Sequence, residues 1–242
     1  MDTMHNILLL MMGGSGRRFG AEIPKQFVEV EGKPVFSYIL KRYDECRCID
    51  HMVVVTHPDW VDYVKVWEKR LGVKKLSAIA EGGATRSESV KNGLIEAKAF
   101  AAPKDIVLVH DATHPYVDEP GVEAVIEAVK ECGGATLAQR QYDTCYQMDP
   151  ENGMIRKVIP RQEFISGASP EAFFYGALEQ IYLGASAEEL ERMSCAGAIA
   201  LQHNIPMRVI DSKMLNLKIT YPEDLELFKN LVKAWFPTVI PL

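Results

Sequence analysis

Much is missing from this chain of 242 residues, and each gap excludes a class of answer. There is no basic surplus: the formal net charge is −6, which argues against a general nucleic-acid binder and makes any cationic surface local. There is no long apolar run. "ILLLMM", Ile7 to Met12, is too short to span a membrane and lacks a signal-peptide cleavage pattern, so a cytoplasmic location without membrane contact is expected. Cysteine is sparse and odd in number: Cys46, Cys48, Cys132, Cys145 and Cys195. Their one close pair is C-x-C with no histidine at ligand spacing, which reads as a reduced intracellular protein without a structural zinc site. No internal repeat, low-complexity tract or polar linker divides the chain, so one domain over residues 1–242 is expected, with an apolar fraction of 48% sufficient for a full core.

What is present alternates. Short β-rich apolar runs are followed by longer amphipathic ones, the pattern of an α/β protein whose mostly parallel sheet is covered by helices. Strands are predicted at Asn6–Met12, His51–Thr56, Lys75–Ile79, Ile106–His110, Ala135–Ala138 and Met207–Ile210. Helices are predicted at Val35–Tyr43, Trp60–Leu71, Ser87–Ala97, Gly121–Glu131, Pro170–Ile181, Ala187–Ala200 and Pro222–Trp235. The irregular segment 140–166 carries the turn signal "DPENG" between "YDTCYQM" and "MIRKVIP"; it reads as a projecting hairpin, ending either in solvent or on a second subunit. The apolar "WFPTVIPL" at the end is expected to pack on the domain or on a partner subunit.

The first strand runs into "MMGGSGRRFGAEIPKQ". No lysine followed by Ser or Thr closes this loop as a P-loop requires. Pro24, four residues after Gly20, forbids the continuous helix that a dinucleotide loop needs, and no acidic residue ends a second strand at the expected distance. A glycine turn with Arg17, Arg18 and Lys25 nearby suits a triphosphate, and is equally compatible with a tight turn whose charges are solvated. In "DIVLVHDATHP", Asp111 ends a buried strand, where it is placed to hold Mg²⁺ or to form an Asx turn. In "EGGATRSESVKNGL", a Gly-Gly turn precedes a helix that Ser87 caps, and Ser89 lies in its first turn; this is a nucleobase-reading edge or simply a capped helix. In "MLNLKITYPEDL", period-two alternation puts Leu215, Leu217 and Ile219 on one face and Asn216, Lys218 and Thr220 on the other. Lys218 then stands on an extended segment entering the last helix, as a site cation or as a solvated edge charge.

Taken in order, G-G-S-G-R-R-F-G…P-K-Q, E-G-G-A-T-R-x-x-S-V-x-N-G-L, V-H-D-A, D-T and N-x-K-I-T-x-P-E-D-L resemble the cytidylyltransferases acting on polyol phosphates, from about Asn6 to Leu231. That family includes the 2-C-methyl-D-erythritol 4-phosphate and ribitol 5-phosphate cytidylyltransferases. The resemblance implies a Rossmann-like, GT-A-like nucleotidyltransferase fold, with a mostly parallel sheet flanked by helices and a β-arm at about 140–166 that makes a homodimer. It implies CTP and a polyol phosphate as substrates, Mg²⁺ or another divalent cation as cofactor, and transfer of CMP with release of pyrophosphate. Arg18, Lys25 and Lys218 match the catalytic cations, and Gly13, Gly14, Ser15 and Gly16 match the loop around CTP. Gly83, Arg86, Ser89, Asp111 and Ala112 match the remaining CTP contacts, with Asp111 as metal ligand. His114, Thr144, Arg161 and Ser169 match the acceptor side, Thr144 and Arg161 reaching it in the partner subunit.

The chain also departs from the family pattern. H-D-A-x-R-P becomes H-D-A-T-H-P, with His114 in place of an arginine; Thr-Pro-Gln becomes Ser169-Pro170-Glu171; the residue after D-T-x is Tyr146 in place of lysine; and Thr-Asp-Glu or Thr-Asp-Asp becomes Ser194-Cys195-Ala196. The CTP side is kept and the acceptor side has drifted, which implies an altered acceptor. A member that binds CTP without efficient turnover is the alternative, and an NAD(P)-dependent oxidoreductase, motivated by the glycines, is disfavoured by Pro24. The segment "RQEFISGASPEAF" resembles the ribitol branch slightly more than the methylerythritol branch.

Overall fold

The computed structural model describes residues 3–14, 23–212 and 214–235. Its elements begin with β1 (Asn6–Met11), β2 (Glu29–Val30), β3 (Lys33–Pro34), α1 (Val35–Glu45), β4 (His51–Thr56), α2 (Val61–Leu71), β5 (Leu76–Glu81) and α3 (Arg86–Ala97). They continue with β6 (Ile106–Asp111), α4 (Glu119–Cys132), β7 (Gly134–Arg140), β8 (Cys145–Met148), β9 (Ile155–Ile159) and β10 (Ile165–Phe174). The last are α5 (Tyr175–Gly184), α6 (Ala187–Arg192), α7 (Ala196–Gln202), β11 (Met207–Asp211) and α8 (Pro222–Trp235).

A seven-stranded sheet runs in the order β11-β7-β10-β6-β1-β4-β5, with β10 antiparallel to both its neighbours and the other pairs parallel. The reason β1 reads as an unbroken apolar run is visible in its packing. Leu8 and Leu10 face one side with α1, α2 and α4, while Ile7 and Leu9 face the other with α3, α5 and α7. All four are fully buried, because alternate side chains of a strand point to opposite faces and here both faces are covered. A third cluster, Val30, Val35, Tyr38, Leu217, Ile219 and Phe228 among others, seats α8 against the start of α1.

Two predicted helices are corrected. Pro170–Ile181 is not a helix from its start: β10 passes through Pro170 to Phe174, and α5 begins only at Tyr175. Ala172 and Phe173 are both fully buried in the middle of the sheet, and so short an apolar run cannot be told from a buried helix by periodicity. The missing N–H of Pro170 is accommodated where the pairing of β10 with β7 shifts between Gly167 and Glu171. Ala187–Ala200 is two helices, α6 and α7, each with its own cap: Ser186 accepts from Glu189 N, and Cys195 Sγ accepts from Ala198 N. The segment 215–220 is irregular rather than alternating throughout. Leu217 and Ile219 are buried, but Leu215 is 49% exposed.

β8 and β9 form a separate two-stranded antiparallel sheet within 140–166. Its side chains Tyr146, Met148, Ile155 and Val158 are all more than half exposed. Among the described residues, no helix is long and apolar enough to cross a membrane.

Candidate active site

The carboxyl ends of β1, β4 and β6 meet at one edge of the sheet, where open α/β sheets place their ligands. Met11 pairs with Asp111 in register, so the glycine loop after β1 and the carboxylate ending β6 are neighbours by strand pairing alone. Met12 N–H donates to Val55 O at 2.7 Å and Ala112 N–H to Met11 O at 3.0 Å, holding the three strand ends together.

Asp111 is the centre of the site. Its Oδ1 accepts from Arg86 Nε at 3.1 Å and Nη2 at 3.0 Å, and its Oδ2 accepts from Lys218 Nζ at 2.9 Å. Burial pushes this carboxyl up, but the two cations outweigh it and hold Asp111 well below the usual carboxylate range. For Arg86, burial pulls down and Asp111 with Glu171 pushes up, leaving it raised above its usual value.

Arg86 stands at the first position of α3, and the helix cap there is Thr85 rather than the predicted Ser87. Thr85 Oγ1 accepts from Glu88 N while Glu88 Oε2 accepts from Thr85 N and Ala84 N, a reciprocal box that fixes the start of the helix. Ser87 is buried and donates to Met193 O instead. Ser89 Oγ accepts from Gly83 N at 3.0 Å and donates to Thr85 O at 2.9 Å. Its one proton is thus used inside the turn, and toward a ligand this hydroxyl can only accept. A Cβ on Gly83 would lie 2.3 Å from Glu88 Cβ, so the turn admits no side chain there. Gly13 lies against Ser89, and Gly82 N–H donates to Thr56 O at 2.7 Å.

Lys218 arrives from the far end of the chain because its neighbour is anchored. Ile219 is fully buried and its N–H donates to Thr113 O at 2.8 Å. Asp224 Oδ2 then accepts from Thr220 N and Tyr221 N, starting α8.

Lys25 is held in a short 3₁₀ turn, Lys25–Phe27, by its two neighbours. Phe27 stacks on Trp60 with ring centroids 4.0 Å apart, and buried Gln26 reaches back with Nε2 to Met12 O at 2.7 Å and Gly14 O at 3.0 Å. Ser15, Gly16, Arg17 and Arg18 lie outside the described residues, as does the tail 236–242.

Of the residues that the resemblance assigns to the acceptor, His114 and Ser169 line one concave pocket together with Tyr116, Asp118, Ser212 and Asn216. His114 is buried and held neutral, its pKa pushed down to about 3 by burial, His110 and Lys218. Thr144 and Arg161 are exposed at the base of the β8–β9 hairpin. Arg161 Nη1 donates to Tyr142 O at 2.7 Å, tying the two ends of the hairpin together, and neither residue hydrogen-bonds His114 or Ser169 among the described contacts.

Three residues with a part in this geometry were given no role by sequence reasoning. Gln26 is one. His110 is another: fully buried, it receives Tyr43 OH on Nδ1 at 2.7 Å and, with Nε2 carrying its proton, donates to His114 O at 3.0 Å. The third is Glu171, which the sequence marks only as a departure. Its carboxylate accepts from Ala196 N and Gly197 N at 3.0 Å each, so the negative charge at the start of α7 comes from β10 where the family pattern puts an acid in the loop itself. The P-K-Q and V-H-D-A motifs flag the first two positions, but their partners, up to 67 residues away, are not visible in sequence.

The buried histidines carry a pH prediction. His110 has its pKa pushed down to about 4 by burial, against an ordinary 6.5. Between those values the unfolded chain binds the proton and the folded one does not, so stability is full above about pH 6.5 and falls as pH drops toward 4. His114 acts in the same direction. Melting of the metal-free protein at intervals from pH 7.5 down to 4.5 is expected to show a loss on the order of 3 kcal/mol, and a Tyr43→Phe, His110→Gln variant a shallower one. A flat profile in wild type refutes the buried-neutral assignment.

The donor set fits a divalent cation only in a shared site. Among the described residues no group of three or more His, Cys, Asp or Glu side chains surrounds a metal position. A single ionised carboxylate at a strand end suits Mg²⁺, whose remaining ligands are phosphate oxygens and water.

The family model of 2-C-methyl-D-erythritol 4-phosphate cytidylyltransferase (IspD) matches residues 6–234. The chain is 33% identical to the 2-C-methyl-D-erythritol 4-phosphate cytidylyltransferase of Thermotoga neapolitana, covering 95% of this chain and 98% of that one. It is 30% identical to a ribitol-5-phosphate cytidylyltransferase of Streptococcus agalactiae, covering 96% of each. Among solved structures, a 4-diphosphocytidyl-2C-methyl-D-erythritol synthase matches in fold with a TM-score of 0.77 at 24% identity, over 95% of this chain and all of that one. The 2-C-methyl-D-erythritol 4-phosphate cytidylyltransferase of Thermus thermophilus matches with a TM-score of 0.68 at 26% identity, over 94% of this chain and 98% of that one.

Proposed function

We propose, from the premise that this chain belongs to the 2-C-methyl-D-erythritol 4-phosphate cytidylyltransferase family, that it transfers CMP from CTP to the phosphate of a polyol phosphate. The observation that carries the reading is the convergence of Arg86 and Lys218 on Asp111 beside the glycine loop. An acceptor phosphate monoester is already dianionic near neutral pH, so its oxygen attacks the α-phosphorus of CTP without a general base. A bond forms from that oxygen to the α-phosphorus, and the bond to the bridging oxygen breaks, releasing pyrophosphate. What this chemistry demands of the protein is positive charge where negative charge accumulates. Lys25 and Lys218 supply it, joined on sequence grounds by Arg18, and Asp111 would hold Mg²⁺, which would supply further neutralisation of phosphate charge. The turn at Gly83, with Arg86 and Ser89, faces the nucleoside, and the amides of Gly13 and Gly14 face the phosphates.

Glu171 takes the structural place of the acid missing from the loop before α7. With the α7 N-terminus satisfied from β10, the acid missing at Cys195-Ala196 leaves no helix end unpaired.

For the acceptor, the pocket of His114, Tyr116, Ser169, Ser212 and Asn216, with the Asp118 carboxylate beside Ser212, presents hydrogen-bonding groups suited to a hydroxyl-rich chain. We place ribitol 5-phosphate first and 2-C-methyl-D-erythritol 4-phosphate second; the 33% identity to a relative of the latter name keeps the second reading in play. The exposed apolar hairpin makes a homodimer, which brings Thr144 and Arg161 to the acceptor phosphate of the other subunit.

Pyrophosphate release from CTP with Mg²⁺ and each acceptor is the test. Ribitol 5-phosphate is expected to give a kcat/KM about tenfold or more above methylerythritol 4-phosphate, the size of one hydrogen-bonded hydroxyl read or missed. The reverse order assigns the second acceptor, and no release with any pentitol or tetritol phosphate refutes the transferase reading.

A further inference from the structure

We infer that Cys46 and Cys48 are a preformed dithiol, a modification site at which small-molecule disulfides reversibly make an intramolecular disulfide. The pair lies outside the cluster around Asp111, in the turn between α1 and β4. Its two Sγ atoms are 3.1 Å apart, one thiol donating to the other.

The turn is held at every residue. Cys46 N–H donates to Tyr43 O at 3.2 Å and Ile49 N–H donates to Cys46 O at 3.3 Å, closing it from both sides. Lys75 Nζ donates to Cys46 O at 2.6 Å, Arg47 N–H to Glu119 Oε1 at 2.9 Å, and Asn6 Nδ2 to Cys48 O at 2.9 Å. The backbone that a C-x-C disulfide must fold back on itself is therefore already folded, and the ordering entropy of ring closure is met by the fold. Cys46 is buried and Cys48 half-buried, so an oxidant reaches the pair through Cys48. The hydrogen bond from Cys48 holds the Cys46 thiol below its ordinary value in spite of burial, while the same bond and burial push the Cys48 thiol well up, so the proton between the two sulfurs rests on Cys48.

The chemistry is a thiol–disulfide exchange in two displacements. Cys48 attacks one sulfur of the incoming disulfide; the S–S bond of that molecule breaks, and the leaving sulfur takes up the Cys48 proton. Cys46 then attacks Cys48 Sγ, the mixed disulfide breaks, and the second leaving sulfur takes up the Cys46 proton. The protein loses two electrons and two protons, and the small disulfide becomes two thiols. The other cysteines are differently placed: Cys132 donates to Ala128 O and Gly134 O, and Cys195 caps α7.

The test is incubation of the folded full chain with oxidised glutathione, followed by acid quench, denaturation and alkylation. Of the five cysteines, all free in the structure, two are expected to escape alkylation, and the peptide carrying both Cys46 and Cys48 to be lighter by two hydrogens. Dithiothreitol restores all five. Cys48→Ser is expected to abolish the loss, and Cys46→Ser to trap a glutathione adduct on Cys48. Five alkylated cysteines in wild type, a persisting glutathione adduct on Cys48, or a disulfide between any other pair overturns the assignment.

Discussion

Replacing Lys218 by alanine is expected to lower turnover of CTP with its acceptor about a hundredfold or more while leaving the protein folded. Removal of one preorganised electrostatic donor costs about 3 to 4 kcal/mol at a transition state that develops charge. The fold loses little, because the Lys218 side chain is 45% exposed and its pair with Asp111 is a partly solvated one, contributing at most about 1 kcal/mol. Asp111 keeps its other partner, since Arg86 alone makes two of its three hydrogen bonds. The fall is expected in kcat more than in the KM for CTP, because Lys218 holds Asp111 Oδ2 while Arg86, which follows the glycine turn at residues 82–83, holds Oδ1. Arginine at 218 keeps the charge but not the compact ammonium, and partial recovery is expected. Wild-type turnover in Lys218→Ala would remove this residue from the reaction, and a collapsed melting temperature would show that its part is structural.

Mixing two inactive variants is expected to restore activity. Arg161→Ala and Lys218→Ala each disable a different half of the proposed site, and each homodimer is expected to retain about one per cent of turnover. If Arg161 acts across the dimer, a mixed dimer holds one subunit with Lys218 intact that receives Arg161 from its neighbour. Random exchange makes half of all dimers mixed with one good site in two, so recovery to about a quarter of wild type is expected for an isologous dimer. If Arg161 served its own subunit, no mixed dimer would contain a complete site and activity would stay at the level of the parents. The hairpin itself supports the first outcome. Tyr146, Met148, Ile155 and Val158 are exposed on a two-stranded sheet, and an isolated hairpin has too little core to hold such side chains in water without a partner surface.

Where the sequence reading worked, local chemistry was decisive. His51–Thr56 and Pro222–Trp235 begin and end as predicted, the first because five valine-rich residues are buried on both faces, the second because Pro222 and Asp224 mark a helix start. Where it missed, a distant partner overrode local preference. The segment around Pro170 has the composition of a helix entry, yet it is a central strand because β6 and β7 flank it on both sides. Ser87 has the residue type of a cap, but Thr85 with Glu88 satisfies more of the free N–H groups two residues earlier. Leu215 alternates with Leu217 in sequence, and both line the pocket of His114 and Ser169, but Leu215 stays 49% exposed where a regular strand would have buried it as it buries Leu217.

By itself the sequence determined the fold class and the order of the strands' apolar runs, and it named the residue types proposed for the site. These follow from periodicity, from Pro24 excluding a dinucleotide helix, and from motifs whose members lie close along the chain. Only the tertiary structure decided that Asp111 is shared between Arg86 and Lys218, 107 residues beyond it, that Glu171 satisfies the start of α7, and that Gln26 reaches back to the glycine turn. The reason is physical. A helix or strand pattern is written in neighbours a few positions apart, whereas a hydrogen bond between distant segments exists only once packing of the core has brought them within 3 Å, and no local signal carries that distance.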